Sequence, residues 1–98
     1  GEGVVQDNVA AVKWYTLAAE QGLAIAQNNL GVMYDNGEGV VQDYALAHMW
    51  ANIAAANGDS NGAKNRDIIA QKLSQTEITA AQTMARECMA SNYANCGY

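Results

Sequence analysis

Few side chains in this sequence are equipped for chemistry. His48 is the single histidine, and the cysteines, Cys88 and Cys96, lie far downstream of it. A zinc site needs about four nitrogen or sulfur ligands, usually in closely spaced pairs. One histidine and two distant cysteines do not supply that set, so no metal site is expected. His48 aligns with Val12 in the repeat described below, which points to a packing or surface role. Cys88 falls on an apolar helix stripe, where a thiol serves as a small buried hydrophobe. Ser60, Ser74 and Ser91 fall at the starts or ends of expected helices, where serine caps the backbone. A nucleophilic serine would need a histidine beside it, and the sequence brings His48 to none of them. The reading is therefore a protein without a catalytic set and without a cofactor.

Two glycine loops invite a phosphate-binding reading, Gly1-Glu2-Gly3 and Gly37-Glu38-Gly39. A glutamate sits between each glycine pair, and Asp7 or Asp43 opens the helix that follows. Both charges repel phosphate just where backbone N–H groups would bind it. The loops are expected to be tight turns.

What must position any functional residue is a repeat. GEGVVQD occurs at residues 1–7 and again at 37–43, an offset of 36. Carried forward, the offset pairs Ala11 with Ala47, Trp14 with Trp50, Ala18 with Ala54 and Gly22 with Gly58. Twelve of the first 22 positions are identical across it, and self-similarity at this period marks a stacked-repeat architecture. Each copy reads as a loop, an N-cap aspartate (Asp7 or Asp43), then a helix over 8–21 or 44–57 ended by glycine. Ala11, Trp14 and Ala18 share one helical face, as do Ala47, Trp50 and Ala54. Second helices follow over 24–35 and 60–73. Ser74-Gln-Thr-Glu77 is a capping-box pattern that opens a last helix over 75–90. Its stripe of Ile78, Ala81, Ala85 and Cys88 is expected to pack on the preceding pair, with Thr79, Gln82, Thr83 and Arg86 facing out.

The expected fold is all-α: an α/α superhelix, a right-handed helical-repeat solenoid of about five helices in antiparallel pairs. It divides into a half repeat (1–22), a full repeat (23–58), a divergent helix (59–73), a capping helix (74–90) and a tail (91–98). Such units stack to bury their apolar faces and need caps at the ends. The first unit opens inside an inter-helix loop, so the expectation is a piece of a longer array with a bare face around Val9, Val12 and Leu17.

Composition agrees. The chain has 98 residues, half of them hydrophobic, with no proline and no phenylalanine. Helices therefore meet no steric breaker, and Trp14, Trp50, the tyrosines and the aliphatics must build the core. Net charge is −5. Lys13 is the only base in residues 1–43, against six acids, whereas residues 44–98 balance. An acidic field disfavours nucleic acid and anionic membrane and suits a basic peptide or protein. No apolar run approaches a bilayer span, so membrane insertion is not expected.

The run Ala24-x-Ala26-x-x-x-Leu30-Gly31-x-x-Tyr34-x-x-Gly37-x-Gly39-Val40-x-x-Asp43-x-x-x-Ala47-x-x-Trp50-x-x-x-Ala54-Ala55-x-x-Gly58 resembles the Sel-one-like repeat, a relative of the tetratricopeptide repeat. The resemblance covers residues 1–72. It departs at Asn65-Arg66-Asp67, which stands where Leu-Gly is expected. It implies an α/α array acting as a protein-binding adaptor or scaffold. In such arrays the first helix of each pair lines a concave groove. The groove candidates are then Ile25, Asn28, Val32 and Asp35 on one helix and Lys64, Ile68 and Gln71 on the next. Asn28 would bond a peptide backbone over an apolar floor of Ile25 and Val32.

The ending Ala85-Arg86-Glu87-Cys88 with Asn92-Tyr93-x-x-Cys96 resembles exported bacterial members, some of them disulfide-rich and described as β-lactam-binding. That resemblance favours a Cys88–Cys96 disulfide, reached if the tail turns back near Asn92, and with it a periplasmic or secreted setting. The unpaired alternative is a buried Cys88 and a free tail thiol. Two other functions stay beside protein binding: a spacer or end-cap that self-associates through the bare first face, and, on analogy alone, β-lactam binding or hydrolysis.

Overall fold

The computed structural model describes residues 4–97. Among them stand five helices and no strand: α1 (Val4–Ala19), α2 (Ala24–Asn36), α3 (Tyr44–Ala56), α4 (Ser60–Ala70) and α5 (Gln75–Ala90). α3 is central. α2, α4 and α5 all pack on it, α1 packs on α2, and α2 also meets α4. The result is the all-α helical-repeat solenoid that the sequence pattern predicts.

The local signals act as their chemistry dictates in the second copy. The Asp43 carboxylate accepts from Leu46 N–H at 3.0 Å and caps α3. Gly58 has φ +100°, and Asp59 N–H reaches back to the Ala54 carbonyl at 2.9 Å. This is the left-handed closure that glycine permits. The first copy closes the same way: Gly22 has φ +89°, and Leu23 N–H bonds to the Ala18 carbonyl. Ser74 and Glu77 form the complete capping box of α5. Asp59, rather than Ser60, caps α4, accepting from Asn61 N–H.

Three expectations are corrected. First, α1 begins at Val4 rather than residue 8, so Asp7 lies inside the helix and caps nothing. In the second copy the corresponding loop is braced from outside. Gly39 is packed so tightly on the Asn8 carbonyl that a Cβ would collide with it. No described element braces residues 4–7 in that way, and they form the first turn of α1.

Second, the tryptophans do not share one fate. Trp50 is fully buried, but Trp14 is 71% exposed. Trp50 is enclosed because α2 crosses α3 at Gly31, and Ala85 and Cys88 of α5 join the same core. Nothing among the described residues covers α1 as α2 covers α3. Third, Val12 is no part of a bare face. It is 9% exposed and belongs to the core, beneath Gly39, while Val9 and Leu17 remain exposed.

Close helix contact rests on small residues. An added Cβ on Gly31 would sit 3.1 Å from the Ala47 carbonyl, and one on Gly62 would sit 2.8 Å from Ala54 Cβ. These glycines are needed for proximity, not for backbone freedom. The Leu-Gly pair of α2 is replaced by Arg66-Asp67 in α4, and that departure has a reason. Asp67 is exposed, with no helix lying across it as α3 lies across Gly31. On α5, Ala81, Ala85 and Cys88 are buried, Ile78 is half-buried, and Gln82 and Arg86 face solvent.

The chain closes on itself at its end. Asn92 (φ 56°) and Tyr93 (φ 67°) take left-handed backbone angles after α5, and Tyr93 N–H returns to the Cys88 carbonyl. This turn, unusual for non-glycine residues, carries the tail back along α5. Cys96 then joins Cys88 in a disulfide, with both residues inside the core.

Candidate protein-interaction surface

The groove candidates lie on α2 and α4, and the structure sorts them. Asn28 Oδ1 accepts from Asn65 Nδ2 at 2.8 Å, and Asp35 Oδ1 accepts from Lys72 Nζ at 2.8 Å. One tie joins α2 to α4 and the other joins it to the turn just past α4, in the same residue order, so the two helices run side by side in one direction. Asn28 and Asp35 thus spend part of their bonding capacity on holding the inner helices together. Asn65 keeps its carbonyl oxygen, and Asn28 keeps an NH2 with two donors, for anything that approaches. Lys72 also stands 5.1 Å from the centre of the Tyr44 ring. The Asp35 hydrogen bond holds its ammonium above the ordinary lysine range.

Val32 is half-buried between these ties. Lys64 and Ile68 on α4, and Gln71 at its C-cap, are exposed, Ile68 at 53%. Ile25 is 74% exposed, but it lines a different depression, a trough of about 690 Å³ between α1 and α2. Sequence reasoning missed Trp14 and Leu23, which line that trough too, as well as the braces Asn65 and Lys72. Trp14 was hidden by its match to Trp50. Asn65 and Lys72 have no counterparts in the pattern of α2.

The other chemically equipped residues serve structure. His48 is buried, its Nδ1 has no hydrogen-bond partner, and burial, with the Arg66 charge beside it, pushes its pKa down. Ser74 is a cap, and Ser91 bonds the Cys88 carbonyl and Asn95 N–H at the end of α5. Among the described residues no cluster of three or more His, Cys, Asp or Glu could hold a metal ion. Nor, among the described residues, is any helix long and apolar enough to cross a membrane.

A repeating two-helix unit, a Trp-Gly crossing and an inner layer of side-by-side helices define an α-helical repeat protein. The Sel1 repeat pattern matches residues 1–23 and again residues 24–59, together more than half of the chain, which therefore belongs to the Sel1 repeat family. Sel1 repeats are generally protein-interaction modules and typically not catalytic. Comparison with curated protein sequences returns no match.

Proposed function

We propose that the chain is a protein-interaction module that holds an extended basic peptide on the face shared by α2 and α4. In this reading Val32 and Ile68 form the apolar floor, and Ile25, which lines the α1/α2 trough, takes no part in it. Asn28 and its partner Asn65 offer amide donors and an acceptor to a peptide backbone. Lys64 and Asp35 mark the rim. The observation that carries the reading is the Asn28–Asn65 bond of 2.8 Å beside an Ile68 left 53% exposed. A pair of amides already fixed in place binds at lower entropic cost than free ones, and preorganisation of this kind is what converts contact into affinity. The preference for a basic partner follows from the net charge of −5 and the concentration of acids in residues 1–43.

The test is selection of peptides from a random display library on the immobilised chain. Binding of the selected peptides is then compared with a Val32→Asp, Ile68→Asp variant. Enriched basic peptides that bind the variant at least ~10-fold more weakly, a difference of about 1.4 kcal/mol, support the reading if the variant melts as the parent does. Peptides that bind both proteins equally refute it.

A second reading, the end-cap of a repeat array, is favoured by the polar outward face of α5 and by the tail bonded over the core. It predicts that the same selection enriches nothing.

A further inference from the structure

Asp35 is the one acid of α2 and Tyr44 the first residue of α3, and a single cation stands against both. Lys72 Nζ lies 2.8 Å from Asp35 Oδ1 and 5.1 Å from the centre of the Tyr44 ring. A carboxylate beside an aromatic face is a seat for a cation. The carboxylate supplies charge and acceptors, and the ring supplies its electron-rich face. The chain fills this seat with its own lysine.

The seat is built more firmly than its occupant is held. The Asp35 side chain is only 18% exposed, and Gln42 Nε2 donates to the Asp35 carbonyl at 2.9 Å. Tyr44 packs on the core group of Ala47, Ala51 and Ile69. Lys72 lies past the end of α4 with its side chain 38% exposed, and exposed ion pairs hold weakly. An ammonium also uses the seat incompletely. Asp35 Oδ1 accepts from it, while Oδ2 accepts no hydrogen bond among the described residues. A guanidinium offers parallel N–H donors to both oxygens of a carboxylate, and its flat face stacks on a ring.

Resting on the peptide-binding reading of the α2/α4 face, we infer that Asp35 and Tyr44 form the seat of an arginine side chain of the bound peptide, and that Lys72 occupies this seat until the arginine displaces it. One cation replaces another, so the charge at Asp35 stays balanced, and the released ammonium returns to water. Asn28 and Asp35 stand seven residues apart on one helix, a rise of about 10 Å. An extended chain covers that length in about three residues. The arginine therefore falls about three positions from the residue whose backbone meets the Asn28–Asn65 pair.

The probe is a capped arginine, N-acetyl-arginine methylamide, which needs no part of the Val32 and Ile68 floor. It is titrated into the full chain at constant ionic strength while NMR follows the Tyr44 ring resonances. Lys72→Met empties the seat and should lower the apparent Kd about 2- to 5-fold, the worth of an exposed ion pair. Lys72→Arg keeps the charge but engages both oxygens of Asp35, and should raise the apparent Kd at least ~twofold. Asp35→Asn combined with Lys72→Met should abolish the response. N-acetyl-lysine methylamide should bind at least ~threefold more weakly than the capped arginine.

Equal affinities of the parent and Lys72→Arg, which carry the same charge, overturn the inference, because the probe would then answer only to the general acidic field. A Tyr44 ring unmoved by the probe in the folded Lys72→Met variant overturns it too, as does equal binding of the capped lysine. Tighter binding of free arginine than of the capped form would make an amino acid the ligand rather than a peptide, and would also overturn it. None of these outcomes depends on Val32 or Ile68, so a failed seat is told apart from a failed peptide face.

Discussion

Asn57 Nδ2 donates to Gln27 Oε1 at 2.9 Å, joining the end of α3 to the first turn of α2. Gln27 is fully buried, and its own amide donates to the Ala19 carbonyl at 3.0 Å, the last carbonyl of α1. Asn57 also lies 3.1 Å from the Tyr93 hydroxyl, beyond α5. One side-chain relay therefore fastens three helix ends and the tail. Its energetic weight lies in Gln27, because a buried amide is tolerated only while its donors and acceptor are met.

Asn57→Ala should therefore destabilise the fold by about 1–3 kcal/mol, the cost of leaving a buried acceptor unsatisfied. Tyr93→Phe leaves the Gln27–Asn57 bond in place and should cost less, about 0.5–1.5 kcal/mol, the net value of a single hydrogen bond. Urea unfolding of both variants checks the order. Equal losses would place the weight on the tail rather than on Gln27.

The two tryptophans, identical in repeat position, should respond oppositely. Trp50→Ala removes a fully buried ring and should cost about 3–5 kcal/mol. Trp14→Ala removes a ring that is 71% exposed and should change stability by no more than about 0.5 kcal/mol. Thermal melts of the single variants measure both.

That contrast also marks what the sequence can reveal. Helix number, the capping box at Ser74 and the closures at Gly22 and Gly58 are local, and they were legible because neighbouring residues alone enforce them. The fate of Trp14 was not legible. Periodicity assigns a residue to a face, but burial depends on whether another helix lies there. The same holds for Asp7, whose copy Asp43 caps a helix behind a loop that packs on α1. Of the proposed surface, the positions of Asn28 and Asp35 were readable, whereas their ties to Asn65 and Lys72 lie outside the repeat pattern and needed the fold.

The Cys88–Cys96 disulfide closes a short loop over the core. Reducing it, or replacing both cysteines with alanine, should lower stability by about 2–3 kcal/mol on the chain-entropy account. Reduction should also loosen the tail before the helices. Hydrogen exchange at Tyr93 N–H, bonded to the Cys88 carbonyl at 2.7 Å, would then accelerate while α3 stays protected. Simultaneous loss of protection would show that the tail and core unfold as one unit.

Burial pushes the His48 imidazole below its ordinary value of 6.5, Arg66 adds to the effect and Asp67 opposes it. The folded state thus disfavours the proton that the unfolded chain takes up as pH falls through 6.5. Stability should be complete above that pH and decline below it, until the folded imidazole itself protonates. Glu77 behaves as a carboxylate held below its ordinary 4.5 by the capping box, so its contribution fades only at lower pH. A His48→Phe variant should accordingly lose the stability slope between pH 6.5 and 4.5 while keeping the acid limb. An unchanged slope would assign the effect to other groups.

The outward face of α5 presents Gln82 and Arg86 to solvent, and the tail is fixed by its disulfide. An open filament needs two unlike surfaces on one molecule, each the mould of the other. Among the described residues, the outward face of α5 carries no large exposed apolar side chain that could match the trough. Growth by head-to-tail addition therefore has no second step, and solutions of this chain should stay free of fibres even at concentrations that crowd the exposed tryptophan.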